Sequence, residues 1–388
     1  MKVGLSDNLK KLPPYLFAEI DKAKRQARAQ GRDLIDLGIG DPDQPTPKHI
    51  IEKLYEAACD PANHRYALDQ GMPALRTAIR KWYINRFRVE LSQDKEILPL
   101  IGSKEGIAHI PLAFLNKGDY SLVPEPCYPP YKGGTILAGG APFILPLKEE
   151  NNFLPDLSRI PKSVLKKAKL LFLNYPNNPT SATAEAGFYE NVIKFALKYN
   201  IIVLHDAAYS EINFDGYKPR SFLEIKGAKE VGIEFHSLSK TYNMTGWRVG
   251  WACGNEKVVA ALAKVKSNID SGIFSAIQLA GVAALSGPGE YVDTMCKLYQ
   301  RRRDLLVDGL NQLGWQVNKP KATFYVWARL PKKYRSSIKF SQMLLEKTDI
   351  VLTPGCGFGK SAEGYVRMAL TASEDKIKEA VDRLKKII

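Results

Sequence analysis

Short apolar runs alternate along the chain with stretches whose apolar residues recur at helical spacing. Residues 120–123, 168–173, 201–204 and 233–235 have the length and hydrophobicity of buried strands, and residues 97–101 read the same way. Amphipathic segments lie between them, and the pattern over 186–199 predicts a helix. Strand and helix in alternation predict an α/β fold with a mostly parallel sheet covered by helices on both faces. Ligands of such sheets gather where strands end and loops begin. No internal repeat or low-complexity linker breaks the pattern.

The composition, 45% hydrophobic and 25% charged over 388 residues, allows a large core and a second, smaller domain. No window approaches the length of a membrane span, and the first residues lack the apolar core of a secretory signal, so a cytoplasmic location is expected. The formal charge of +15 raises the question of nucleic acid, but Lys and Arg are spread along the chain. The densest basic cluster, Arg301, Arg302 and Arg303, is followed at once by Asp304; a solvated basic surface that draws small anions is expected, with no nucleic-acid partner. The five cysteines (Cys59, Cys127, Cys253, Cys296, Cys356) are scattered and form no CxxC pair, which predicts mostly buried, reduced thiols. The five histidines form no close ligand set either, so no metal is expected.

The stretch from Phe235 to Gly250 carries the chemistry. Lys240 stands between Ser237 and Ser239 on one side and Thr241, Gly246 and Arg248 on the other. A lysine amine attacks an aldehyde only when deprotonated, and burial near other cations lowers its pKa. Hydroxyls and a guanidinium are what a phosphate dianion needs, the guanidinium for its planar, permanently charged donor fork. The pattern suits a Schiff-base lysine whose cofactor carries a phosphate; the alternative is a strand end entering a surface turn with Lys240 solvated. Gly102, Ser103 and Lys104 follow the apolar run 97–101 and open a helix, whose unpaired N–H groups would make a second phosphate cradle. Asn178 lies just beyond one strand and Asp206 and Tyr209 at or beyond the next, so their polar groups would face one crevice. A buried Asp beside a pyridine nitrogen keeps that nitrogen protonated, while Asn and Tyr can donate to a ring oxygen. Asp206 could instead be a helix N-cap.

Asn178, Asp206, Tyr209, Lys240, Arg248 and Arg367 follow one another at the separations found in fold-type-I pyridoxal-phosphate aminotransferases of the aspartate-aminotransferase superfamily, which the chain resembles from its N-terminal arm to its last helices. Leu12-Pro13-Pro14-Tyr15, Gly38-Ile39-Gly40-Asp41-Pro42, Gly102-Ser103-Lys104-Glu105-Gly106 and Tyr242-Asn243-Met244-Thr245-Gly246-Trp247 are most similar to LL-diaminopimelate aminotransferases. The resemblance implies pyridoxal 5′-phosphate as cofactor, Lys240 as the catalytic lysine, and Asp206 at the pyridinium nitrogen. It places Asn178 and Tyr209 at the ring oxygen and Tyr128 against the ring. Ser103, Lys104, Ser237, Ser239 and Arg248 would hold the phosphate. Tyr66 would reach the phosphate of a neighbouring subunit, so that a homodimer shares its active sites.

For the substrate the resemblance implies a small amino acid and a 2-oxo acid, with Arg367 on the α-carboxylate supported by Gly40 and Asn178, and Tyr15 closing the pocket. Asp69 and Lys104 are the candidates for the distal end of diaminopimelate. The implied reaction moves an amino group between LL-2,6-diaminopimelate and 2-oxoglutarate, or in reverse between glutamate and tetrahydrodipicolinate, in lysine and peptidoglycan-precursor biosynthesis. Another amino-acid specificity (alanine, aspartate or aromatic), a carbon–sulfur lyase or decarboxylase on the same fold, and a non-catalytic regulator are the alternatives. The implied domains are an N-terminal arm (1–30), a large cofactor-binding domain (48–285) and a small α/β domain (31–47 with 286–388).

Overall fold

The computed structural model describes all residues except 2, 14, 15 and 68, and for residues 16–18 the backbone only. Among the described residues the strands, in chain order, are β1 (Ile35–Asp36), β2 (Ile97–Leu100), β3 (Tyr120–Glu125), β4 (Ala141–Pro146), β5 (Ala168–Asn174), β6 (Ile202–Asp206), β7 (Gly232–Ser237), β8 (Gly250–Gly254), β9 (Tyr325–Arg329), β10 (Ile350–Val351), β11 (Thr353–Pro354) and β12 (Tyr365–Ala369). Seven of them form one sheet in the order β2-β8-β7-β6-β5-β3-β4. β8 is antiparallel to both neighbours, and the other pairings of the sheet are parallel. Each predicted apolar run marks one of these strands, with Ile101 and Ile201 falling just outside β2 and β6, and Ala186–Tyr199 is a helix that ends on Asn200 in the left-handed conformation.

Side chains leave a strand alternately to its two faces. Leu171, Leu173 and Val203 therefore join one core, with Tyr83, Tyr189 and Trp251, while Leu170, Phe172 and Leu204 join another, with Ile107, Ile110 and Leu262. Both faces are covered, so the central strands lack the polar alternation of a half-exposed sheet. A third core gathers Ile35 and Leu37 with Leu306, Leu310, Phe324, Val366 and Ile377, around the sheet β11-β12-β9 and the β1-β10 pair.

One buried polar cluster interrupts the first core. Glu234, fully buried in the middle of β7, accepts hydrogen bonds from Tyr83 Oη, Ser221 Oγ and His236 Nε2 on one oxygen and from His205 Nδ1 and the Phe222 amide on the other, each at 2.8 Å. The basic cluster departs from the expected solvated surface. Arg302 is buried against Asp43 (2.7 Å) and Arg303 against Asp215 and Asp304, because the helix Glu290–Gln312 turns both inward. Of the cysteines, Cys127 and Cys253 are buried, Cys296 and Cys356 half-buried and Cys59 exposed, so fewer are buried than expected.

Candidate active site

Strand register brings the motifs together. Gly250 at the start of β8 pairs with Leu100 at the end of β2 and with Ser237 at the end of β7. The turn after β2, the end of β7 and the segment leading into β8 therefore meet at one edge of the sheet. Asn174 pairs with Asp206, and Asp206 with Phe235, so the ends of β5 and β6 lie alongside. Two glycines make the approach possible. Gly102 has φ +73°, and a Cβ there would stand 2.2 Å from Arg248 Nη2; one on Gly250 would stand 2.8 Å from the Ser103 amide.

A cavity of about 230 Å³ opens at this edge. Ser103, Lys104, Ser237, Ser239 and Arg248 line one end, Asp206, Asn178 and Tyr209 the other, with Lys240, Tyr128, Gly40 and Arg367 around them. The first end consists of donors. The helix Ser103–Phe114 points its N-terminus there with no side chain capping it, Ser237 Oγ donates to Ser239 Oγ at 2.8 Å, and Arg248 is held by Thr245 O (2.9 Å). Such an end suits a dianion.

Lys240, on the short helix after β7, donates from Nζ to the Gly40 carbonyl at 2.8 Å. Burial, with Arg367 and Arg248 nearby and Asp41 opposing them, brings its amine down to about 8. At the far end burial raises the Asp206 carboxyl above its ordinary range, against the hydrogen bonds from Tyr131 Oη (2.8 Å) and the Ala208 amide (3.3 Å). A cationic partner in the cavity would favour its ionised form. Asn178 Oδ1 accepts from Arg367 Nη1 at 2.8 Å, leaving its amide NH2 to donate, and Arg367 Nη2 donates to Gly38 O at 2.8 Å. The arrangement can hold an anionic group, present an amine to an aldehyde, pair with a ring nitrogen, and clamp a carboxylate.

Tyr66 and Asp69 lie outside the cavity of their own chain. Both belong to the connection between Pro61–His64 and the helix Pro73–Phe87, where Tyr66 is 95% exposed and Asp69 half-buried. Tyr15 lies outside the described residues. The lining also holds residues to which the sequence assigned no role at the site: Asn174, Thr245, Tyr325 and Phe358. Asn174 Nδ2 bridges to Asp206 O at 2.7 Å, and the Arg367 guanidinium lies between the rings of Tyr325 (4.1 Å) and Phe358 (4.8 Å). Tyr131, which supports Asp206, is stacked on Phe172. The His/Cys/Asp/Glu grouping among the described residues, Glu105, His109 and Asp270, has the buried Lys266 ammonium between its carboxylates, 3.0 Å from Glu105 and in contact with Asp270.

A family model described as aminotransferase class I and II matches residues 32–384. The LL-diaminopimelate aminotransferase of Halothermothrix orenii is 57% identical over 380 residues, covering 98% of this chain and 97% of the relative. The enzyme of that name from Moorella thermoacetica is 54% identical over 380 residues, with 98% and 97% covered. Among solved structures, apo-BacF from Bacillus subtilis superposes with a TM-score of 0.96 at 41% identity, over 100% of this chain and 98% of that one. Cavity, register and comparisons agree, and the chain belongs to the class I and II aminotransferases.

Proposed function

We propose that the protein transfers an amino group between LL-2,6-diaminopimelate and 2-oxoglutarate, running equally between glutamate and tetrahydrodipicolinate, in the cytoplasm and in the service of lysine and peptidoglycan-precursor synthesis. Family membership makes it a transaminase of fold type I that depends on pyridoxal 5′-phosphate. The observation that carries the substrate is the 57% identity, over 98% of the chain, to a relative of that activity.

The donor set fits the cofactor, which when bound supplies an aldehyde and an electron-withdrawing ring. Ser237, Ser239, Arg248 and the Ser103 and Lys104 amides would hold its phosphate, Asp206 its ring nitrogen, and Asn178 and Tyr209 its ring oxygen, with Tyr128 against the ring. Lys240 would present its amine to the aldehyde and would carry the proton at the substrate's α-carbon. Arg367, held by Asn178 and Gly38, would take the α-carboxylate, and the exposed side chain of Lys104 the distal one. In this reading the chain works as a homodimer, and the surface segment of Tyr66 and Asp69 completes the site of a second copy. It divides into an arm (1–30), a large domain (48–285) and a small one (31–47 with 286–388).

The test is nitrogen transfer. With 2-oxoglutarate as acceptor, ¹⁵N-labelled LL-diaminopimelate should give labelled glutamate. Turnover of alanine, aspartate or an aromatic amino acid with none of diaminopimelate would overturn the substrate, and pyruvate with free ammonia would replace transfer by a lyase reaction. Asp206→Asn should keep the cofactor but lose turnover roughly ten- to a hundred-fold, the size of a lost charge-assisted hydrogen bond. A near-normal kcat in that variant would remove Asp206 from its role.

A further inference from the structure

Tyr325 on β9 belongs to no sequence motif, yet it joins three residues of the site. Its hydroxyl lies 3.0 Å from that of Tyr209, and its ring lies under the Arg367 guanidinium. It also packs so closely on Gly40 that a Cβ there would stand 1.9 Å from the Tyr325 oxygen. The backbone leaves this ring little freedom. The Tyr325 amide donates to Thr323 Oγ1 at 3.0 Å, its carbonyl accepts from Ser181 Oγ at 2.8 Å, and Ala369 is its register partner on β12. At 2% exposure the phenol lines the cavity from beneath.

From this geometry we infer that Tyr325 is a positioning residue serving both halves of the site: its hydroxyl donates to Tyr209 and so aims the Tyr209 proton into the cavity, and its ring face holds the plane of Arg367. This rests on the transaminase reading, in which Tyr209 meets the cofactor's ring oxygen and Arg367 the substrate carboxylate. A Tyr209 oxygen that already accepts a hydrogen bond must direct its own hydrogen elsewhere, and the received bond polarises it into a stronger donor. A cation on a buried aromatic face is held in place as well as attracted.

The two functions separate by substitution in the holoenzyme. Tyr325→Phe keeps the ring and removes the hydroxyl. A weaker Tyr209 donor favours the negatively charged ring oxygen less, so the pH midpoint of the bound cofactor's visible absorbance should rise by about half a unit to one unit, the equivalent of one hydrogen bond. The KM for the amino-acid substrate should stay within about threefold, because the face under Arg367 remains. Tyr325→Leu removes the face too and should also raise that KM roughly three- to thirty-fold. A Phe variant whose midpoint moves less than about 0.2 unit, or whose KM rises as far as that of the Leu variant, would overturn the inference. Should the Leu variant fail to fold, the Phe variant alone decides. A wild-type protein with no pH-dependent absorbance would sink the transaminase reading itself, whereas a titrating wild type with an unmoved Phe variant would sink only the role of Tyr325.

Discussion

Replacing Lys240 with alanine is expected to abolish turnover, by a factor of roughly 10³ or more, while leaving a folded protein that still binds the cofactor. The phosphate end, Asp206 and the aromatic face are untouched by this change, so the affinity they supply persists. What disappears is the amine in the cavity that meets the aldehyde and then moves the α-proton. Lys104 also lines the cavity, but it lies at the phosphate end and is exposed, without the burial that brings Lys240 down to about 8. A variant within about tenfold of the wild-type kcat would show that another group does this work. The depressed amine adds a pH signature. The neutral fraction of Lys240 grows as pH rises through about 8, so capture of added cofactor by the apoprotein should accelerate across that range and level off above it.

Glu234→Ala should cost the most stability of any single change outside the cavity. Five donors, from Tyr83, Ser221, His205, His236 and the Phe222 amide, converge on this carboxylate, and all would lose a buried acceptor. Breaking such a network costs about 3–5 kcal/mol, which for a chain of this length corresponds to a fall in thermal midpoint of roughly 4–6 °C. Glu234→Gln should fall between, since an amide can accept on one side only and turns an NH2 toward donors on the other. A midpoint within about 2 °C of wild type would contradict the network's importance. Burial pushes this carboxyl up, but the hydrogen bonds from His205 and His236 outweigh it and hold the group well below its ordinary 4.5. A depressed carboxylate stabilises the fold fully above the unfolded value and loses that contribution only as pH falls toward the folded one. The wild type should therefore keep this contribution from neutral pH down to about 4.5 and surrender it below. His205 precedes Asp206 and His236 precedes Ser237, so the same carboxylate ties together two strand ends that carry the site.

The sheet was legible because its strands are buried on both faces and read as unbroken apolar runs, as over Leu170, Leu171, Phe172 and Leu173. The cofactor end was legible because its groups follow strand ends in a fixed order. Tyr325, Phe358 and Tyr131 were not, because a buried aromatic in a strand or helix looks the same in sequence whether it packs a core or supports a guanidinium. What marks Tyr325 is its contact with Gly40, 285 positions away in the chain and brought near only by the third core. Arg302 and Arg303 misled for a related reason: a run of basic residues shows its charge, whereas the carboxylates of Asp43 and Asp215 that neutralise it come from distant loops. Glu234 is a charge inside an otherwise apolar strand, and apart from His236 on the same strand its partners lie on β6 and on the helices and turns beneath the sheet.

The identity of the lysine that bears the cofactor tests the central claim most directly. Borohydride added to the yellow holoprotein fixes the cofactor on the lysine that holds it, and peptide mapping by mass spectrometry then locates the label. It should be found on Lys240, in the peptide containing Ser237 and Ser239. A label on Lys104, on Lys266 or on any other lysine would contradict the assignment of the site, whatever activity the protein displayed.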